Sequence, residues 1–234
     1  LLVVQVNLLT AFLALLTAFL YVVVYTPLKR VTWLNTSLGA IPGALPPLGG
    51  WAAAQGELDA GAWTLFAILF AWQHPHFYAI AWMLRQDYQL GGMKMLPTLE
   101  TDGRRTCRHI LGFSLLLLAV SVLPTILGIS GRLYLVGAII LGLGLLAAGI
   151  AMRLSPSNLA ARRLLRASIV YLPLLFLLTI VDIGSEFRTQ HAFDRFGKAA
   201  AIVIDNLHAE GAGAPRHRLA DAAHADDAEA LAPD

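Results

Sequence analysis

Leu133-Tyr-Leu-Val-Gly-Ala-Ile-Ile-Leu-Gly-Leu-Gly-Leu-Leu-Ala-Ala-Gly-Ile-Ala-Met152 runs without a charge between Arg132 and Arg153. A bilayer span needs roughly 20 mostly apolar residues. Backbone polar groups inside lipid must be satisfied within the segment, so the run is predicted to be a membrane helix. Outward from it, five more apolar segments stand at 3–25, 36–54, 62–84, 110–129 and 167–184. Of the 234 residues, 57% are hydrophobic and 14% charged, more apolar surface than a soluble domain of this size can hide. The predicted fold class is therefore all-α, a polytopic transmembrane bundle of about six helices. Segment 36–54 is irregular: Gly39-Ala-Ile-Pro-Gly-Ala-Leu-Pro-Pro-Leu-Gly-Gly-Trp51 is full of helix breakers. A kinked stretch survives at membrane depth only against protein or a water-filled cavity. It is read as either a cavity wall or a kinked packing helix.

The charges between segments sort by side. Lys29 and Arg30 lie in the loop at 26–35. Arg85, Lys94, Arg104, Arg105 and Arg108 lie at 85–109, and Arg153, Arg162, Arg163 and Arg166 at 153–166. The intervening loops at 55–61 and 130–132 offer only Arg132. Six alternating helices gather the three basic loops at one side, which the positive-inside rule makes cytoplasmic, or the matrix side in a mitochondrion. The expected location is the cell inner membrane, multi-pass, with the C-terminal tail on the opposite side. A net charge of +2 without a basic stripe interleaved with aromatics gives no nucleic-acid partner. Cys107 is the only cysteine, so no internal disulfide can form, and it reads as an incidental thiol. The chain opens on Leu1 with no basic n-region, so the first segment does not read as a signal peptide. The expectation is a chain lacking its true N-terminus. Residues 1–185 form the expected membrane domain, 186–206 a candidate surface helix and 207–234 a disordered tail. That tail's His208, His217 and His224 are too loosely spaced for a convincing metal site.

Chemistry concentrates after the third segment. Trp72-Gln-His-Pro-His-Phe-Tyr78 is an aromatic and polar run at a membrane helix, followed by Arg85-Gln-Asp-Tyr-Gln-Leu-Gly-Gly92 and Lys94. A carboxylate among cations beside a bilayer suits a phosphate-bearing substrate bridged by Mg²⁺, with Lys and Arg neutralising the remaining charge. The same pattern also fits positive-inside anchoring with Asp87 as a surface partner. Trp72, Phe77, Tyr78 and Trp82 are an aromatic wall for a flat ligand or an interfacial belt. His74 and His76 are broken by Pro75 and do not read as a two-histidine metal site. Asp182, near the end of the last segment, is either a functional intramembrane acid or one that reaches the interface.

Four motifs in series resemble the heme O synthases, or protoheme IX farnesyltransferases, of the UbiA-type intramembrane prenyltransferases. They are Tyr25-Thr-Pro-Leu-Lys-Arg-Val-Thr-Trp-Leu-Asn35, Gly43-Ala-Leu-Pro-Pro-Leu-Gly-Gly-Trp51, Trp72-Gln-His-Pro-His-Phe-Tyr-Ala79 and Asp87-Tyr-Gln-Leu-Gly-Gly92. Met95-Leu-Pro97 and Tyr171-Leu-Pro-Leu-Leu-Phe176 through Asp182 also fit. The resemblance covers about residues 1–185. It implies a nine-helix bundle around a lipid-open cavity, of which these six helices correspond to the last six. The family's N-x-x-x-D-x-x-x-D motif has no counterpart here, and Asp87 is followed four residues on by Gly91 rather than a second acid.

The resemblance implies farnesyl transfer from farnesyl diphosphate to a vinyl group of protoheme IX (heme B), with water addition, giving heme O and diphosphate. It implies Mg²⁺ as cofactor, heme B as substrate, the lipid bilayer as surroundings and a heme A synthase as candidate partner. Asp87 is then the metal ligand and acts with Lys94. Lys29, Arg30 and Asn35 join them at the diphosphate, while Trp72, His76, Phe77, Tyr78 and Tyr88 complete the substrate site. Asn35 has a second reading, as a cap of the next helix. The rival readings are a prenyltransferase acting on an aromatic quinone precursor and a membrane transporter.

Overall fold

The computed structural model describes residues 2–182, and the surface helix and tail expected at 186–234 lie outside them. Six long helices follow in order: α1 (Leu8–Leu28), α2 (Asn35–Gln55), α3 (Ala60–Met83), α4 (Arg104–Ile126), α5 (Arg132–Leu154) and α6 (Asn158–Asp182). There is no strand among the described residues. α1, α4, α5 and α6 are long and apolar enough to cross a membrane.

Helix starts are set by side chains that accept the free N–H groups of a first turn. Asn7 Oδ1 accepts from Thr10 N–H at 2.7 Å, Asp59 Oδ1 from Ala62 N–H at 3.0 Å and Ser157 Oγ from Ala160 N–H at 3.2 Å. Asn7 also donates through Nδ2 to the Ala52 carbonyl at 2.7 Å, fastening the start of α1 to the end of α2. α2 stops at Gly56, whose φ of 79° is left-handed and suits glycine.

Two sequence expectations are corrected. The segments read as 110–129 and 167–184 begin at Arg104 and Asn158, so several arginines assigned to loops sit on helical turns. A hydropathy reading stops at the first charge, whereas a capped helix continues past the membrane boundary. Glu100 provides the cap for α4, accepting from Arg105 N–H at 2.9 Å and Thr106 N–H at 2.7 Å. Second, α2 is one continuous helix despite Pro42, Pro46 and Pro47. Packing against α1 and α3 holds it, with Ala44, Leu48 and Ala52 fully buried.

Buried residues fall on narrow stripes. In α5 they are Tyr134, Ala138, Gly142, Leu145, Gly149 and Met152, at helical spacing. The outward faces carry exposed Leu, Ile and Val, such as Val136, Ile140 and Leu143, as lipid contact requires. α3 is the central helix, with 13 of its 24 residues buried. Its polar side chains therefore need partners, since burying an unpaired amide costs several kcal/mol, about 2–7 by reference state. Gln73 finds them at the Ala40 and Leu69 carbonyls, each at 3.2 Å, and Trp72 Nε1 donates to the Ser168 carbonyl at 2.7 Å. These bonds fix α3 against α2 and α6.

Candidate active site

Asn35 opens α2 and is fully buried. Its Nδ2 donates to the Lys29 carbonyl at 3.2 Å and to the Lys94 carbonyl at 3.1 Å, and Lys94 N–H donates to the Lys29 carbonyl at 3.2 Å. One amide thus ties the α1–α2 turn to the segment after α3, and the loops bearing Lys29, Arg30 and Lys94 become one surface. Lys94 and Arg30 are exposed, while Lys29 is half-buried with Nζ 5.9 Å from the Tyr25 ring centroid. The cap role offered for Asn35 is not what its side chain does, because both its amide bonds leave the helix.

Asp87 is exposed on a short helical turn, Arg85–Leu90. That turn closes through Gly91 N–H to the Asp87 carbonyl at 2.9 Å and Met93 N–H to the Tyr88 carbonyl at 2.9 Å. Tyr88 is half-buried. Gly92 takes a φ of 69°, and buried Met95, Leu96 and Pro97 pin the following stretch to the bundle. Asp87 therefore stands on an anchored turn joined through Lys94 to Lys29. Among the described residues no three His, Cys, Asp or Glu side chains cluster as a metal cage. A single exposed carboxylate is a ligand that a hydrated Mg²⁺ can take, since that ion keeps several waters and binds through one or two carboxylates.

The two histidines of α3 diverge. His74 is fully buried; Nδ1 donates to the Phe70 carbonyl at 2.8 Å, so Nε2 accepts from the Ser37 hydroxyl at 3.0 Å. Its ring stacks on Phe113 of α4, centroids 3.4 Å apart and planes at 7°. His76 faces α6 instead. Ser168 Oγ donates to the Leu165 carbonyl at 2.7 Å and so accepts from His76 Nδ1–H at 2.9 Å, leaving the lone pair on Nε2. Trp72 stacks on the His76 ring at 4.6 Å, and Phe77 is 41% exposed beside it. Tyr78, expected on an aromatic wall, is in the core at 1% exposure, paired with Thr36 of α2. Asp182 is buried and accepts from Gly131 N–H, at the opposite end of the bundle.

The structure adds residues that local reading missed. Trp33, His109 and Phe113 continue the ring contacts of His74, and the Arg105 guanidinium lies 5.2 Å from the Trp33 ring. A groove of about 320 Å³ runs along α4 past Arg108, His109, Gly112 and Phe113. The available signal was spacing by four, in Phe70, His74 and Tyr78 and in His109 and Phe113.

The chain is 50% identical over 177 residues to a protein of Solibacter usitatus named protoheme IX farnesyltransferase, covering 76% of this chain and 61% of that one. Relatives of the same name from Salinibacter ruber and Koribacter versatilis are 50% and 45% identical over 162 and 185 residues. They cover 69% and 75% of this chain and 57% and 59% of their own. The chain thus spans 57–61% of the length of these curated relatives. A solved structure described as a digeranylgeranylglyceryl phosphate synthase superposes with a TM-score of 0.65 at 17% identity. It covers 76% of this chain and 63% of that one, and shares the fold. The UbiA prenyltransferase family model matches residues 1–179, and the chain belongs to that family.

Proposed function

We propose that the chain carries part of the machinery that transfers a farnesyl group from farnesyl diphosphate to a vinyl group of heme B. The observation that carries this reading is the 45–50% identity to relatives named protoheme IX farnesyltransferase over about three quarters of the chain. The joined Lys29, Asn35 and Lys94 segments support it, because they give a charged head group one rigid surface.

The diphosphate binds at the basic end, where Lys29, Arg30 and Lys94 balance its charge and Asp87 would hold Mg²⁺. The ion, when bound, neutralises charge on the leaving diphosphate. The allylic carbon–oxygen bond breaks, diphosphate departs, and the vinyl carbon of heme B forms the new carbon–carbon bond. Water adds to the resulting cation beside the porphyrin and releases a proton, giving heme O. Electrostatic stabilisation of the leaving group is the protein's main contribution, and exclusion of water protects the allylic cation until the vinyl group arrives. His76 offers Nε2 to the heme, oriented by Ser168 and backed by Trp72. Phe77 lines the same side, Tyr88 the diphosphate side, and Tyr78 positions α3 against α2. The bacterial inner membrane holds the protein with its basic end cytoplasmic, and a heme A synthase is the candidate consumer of the product.

The test is binding on purified protein in detergent. Heme should give a Soret band that weakens in His76→Ala, and farnesyl diphosphate should bind only with Mg²⁺. A protein that binds an aromatic acid but no heme belongs to quinone-precursor chemistry, and the reading fails.

A further inference from the structure

Away from the diphosphate surface, a cavity of about 520 Å³ opens at the start of α4 and the end of α5. Arg104, Arg108 and Arg153 line it with Asp102, Cys107 and Pro156. It faces a different side of α4 from Arg105, whose guanidinium stacks on Trp33. The charge in it is unbalanced. Asp102 is its one carboxylate and is taken by Arg104, Nε to Oδ2 3.3 Å. Arg108 and Arg153 have no side-chain hydrogen bond or ion pair among the described residues. Arg104 and Arg108 stand four apart on one helix, where like charges repel weakly. Exposed Arg162, Arg163 and Arg166 on the first turns of α6 add to the positive field.

The surroundings indicate what kind of anion fits. α4, α5 and α6 are all long and apolar enough to cross the bilayer, so the cavity lies at the depth of one leaflet's head groups. Leu115 and Ile150, deeper along the same helices than Arg108 and Arg153, are 54% and 44% exposed, which gives hydrocarbon tails a surface to follow. Guanidinium groups suit phosphate oxygens through paired, charge-assisted hydrogen bonds, and basic pockets between membrane helices take anionic head groups. We propose that this cavity binds the phosphate of an anionic phospholipid from the leaflet at the basic end. The proposal is independent of the reading of Asp87 and His76.

Phosphatidylglycerol, phosphatidylcholine and inorganic phosphate are the probes, each titrated into the delipidated full chain in detergent. Phosphatidylglycerol should remain bound in native mass spectra and raise the melting temperature, and the other two should do neither. R108Q/R153Q should weaken phosphatidylglycerol binding roughly 30-fold, while R108K/R153K, which keeps the charge but loses the paired hydrogen bonds, should weaken it less. Equal effects of the two lipids, or displacement of phosphatidylglycerol by millimolar inorganic phosphate, would overturn the proposal.

Discussion

Asn35 shows how one side chain can assemble a site. Its amide satisfies two backbone carbonyls, that of Lys29 six residues away and that of Lys94 59 residues away. Asn35→Ala leaves those carbonyls in a buried gap, at about 1–3 kcal/mol. The expected outcome is a lower melting temperature and weaker farnesyl diphosphate binding together, and an unchanged melting curve would show that the clamp is not structural. Asp87 and His76 should separate by ligand. Asp87→Asn keeps its shape but loses a negative charge, so it should raise the Mg²⁺ requirement and leave heme titrations unchanged. His76→Ala should do the reverse; equal loss of heme in both variants would contradict the division. Lys29, Asn35 and Lys94, whose segments the structure joins, stand in motifs a reader can see, as do Asp87 and His76. His74 was not legible, because its meaning depends on Ser37 and Phe113, each 37 or more residues away, and no local pattern reports such partners.

At the scale of the element, α2 teaches most. Its three prolines read as breaks, yet the helix runs through, because burial against two neighbours outweighs the lost backbone bonds. Its glycines are not equivalent. A Cβ at Gly43 would meet the end of Gln73, whose amide is already committed to the Ala40 and Leu69 carbonyls. At Gly50 nothing lies within 4 Å. Gly43→Ala should therefore destabilise by about 1–3 kcal/mol, whereas Gly50→Ala should be neutral or gain about 0.5–1 kcal/mol of helix propensity. Unfolding of both variants in mixed micelles checks the contrast, and equal behaviour would refute the α2–α3 packing. The six helices were legible as apolar runs in the sequence, although only α1, α4, α5 and α6 are apolar enough to cross a membrane on that ground. Two starts were not, since Glu100 and Ser157 extend α4 and α6 into charged sequence.

For the whole molecule, alternation of six helices puts residues 29–35, 85–103 and 153–158 at one end. Reporter fusions at Asn35, Thr101 and Asn158 should all report cytoplasm and fusions at Gly56 and Ser130 the other side; a split among the first three would break the topology. The order of the motifs made the family legible early, but whether the site is sufficient is a matter of the whole bundle. Residues 1–234 contain no N-x-x-x-D-x-x-x-D, so expressed alone in a host without a synthase they should insert without producing heme O. The most direct test therefore places residues 1–179 in the matching region of the Solibacter usitatus relative, and extracts the hemes from membranes of such a host. The predicted result is heme O, dependent on farnesyl diphosphate and reduced at least tenfold by Asp87→Asn. A chimera that inserts at normal levels, binds heme and yet leaves heme B as the only product would contradict the account.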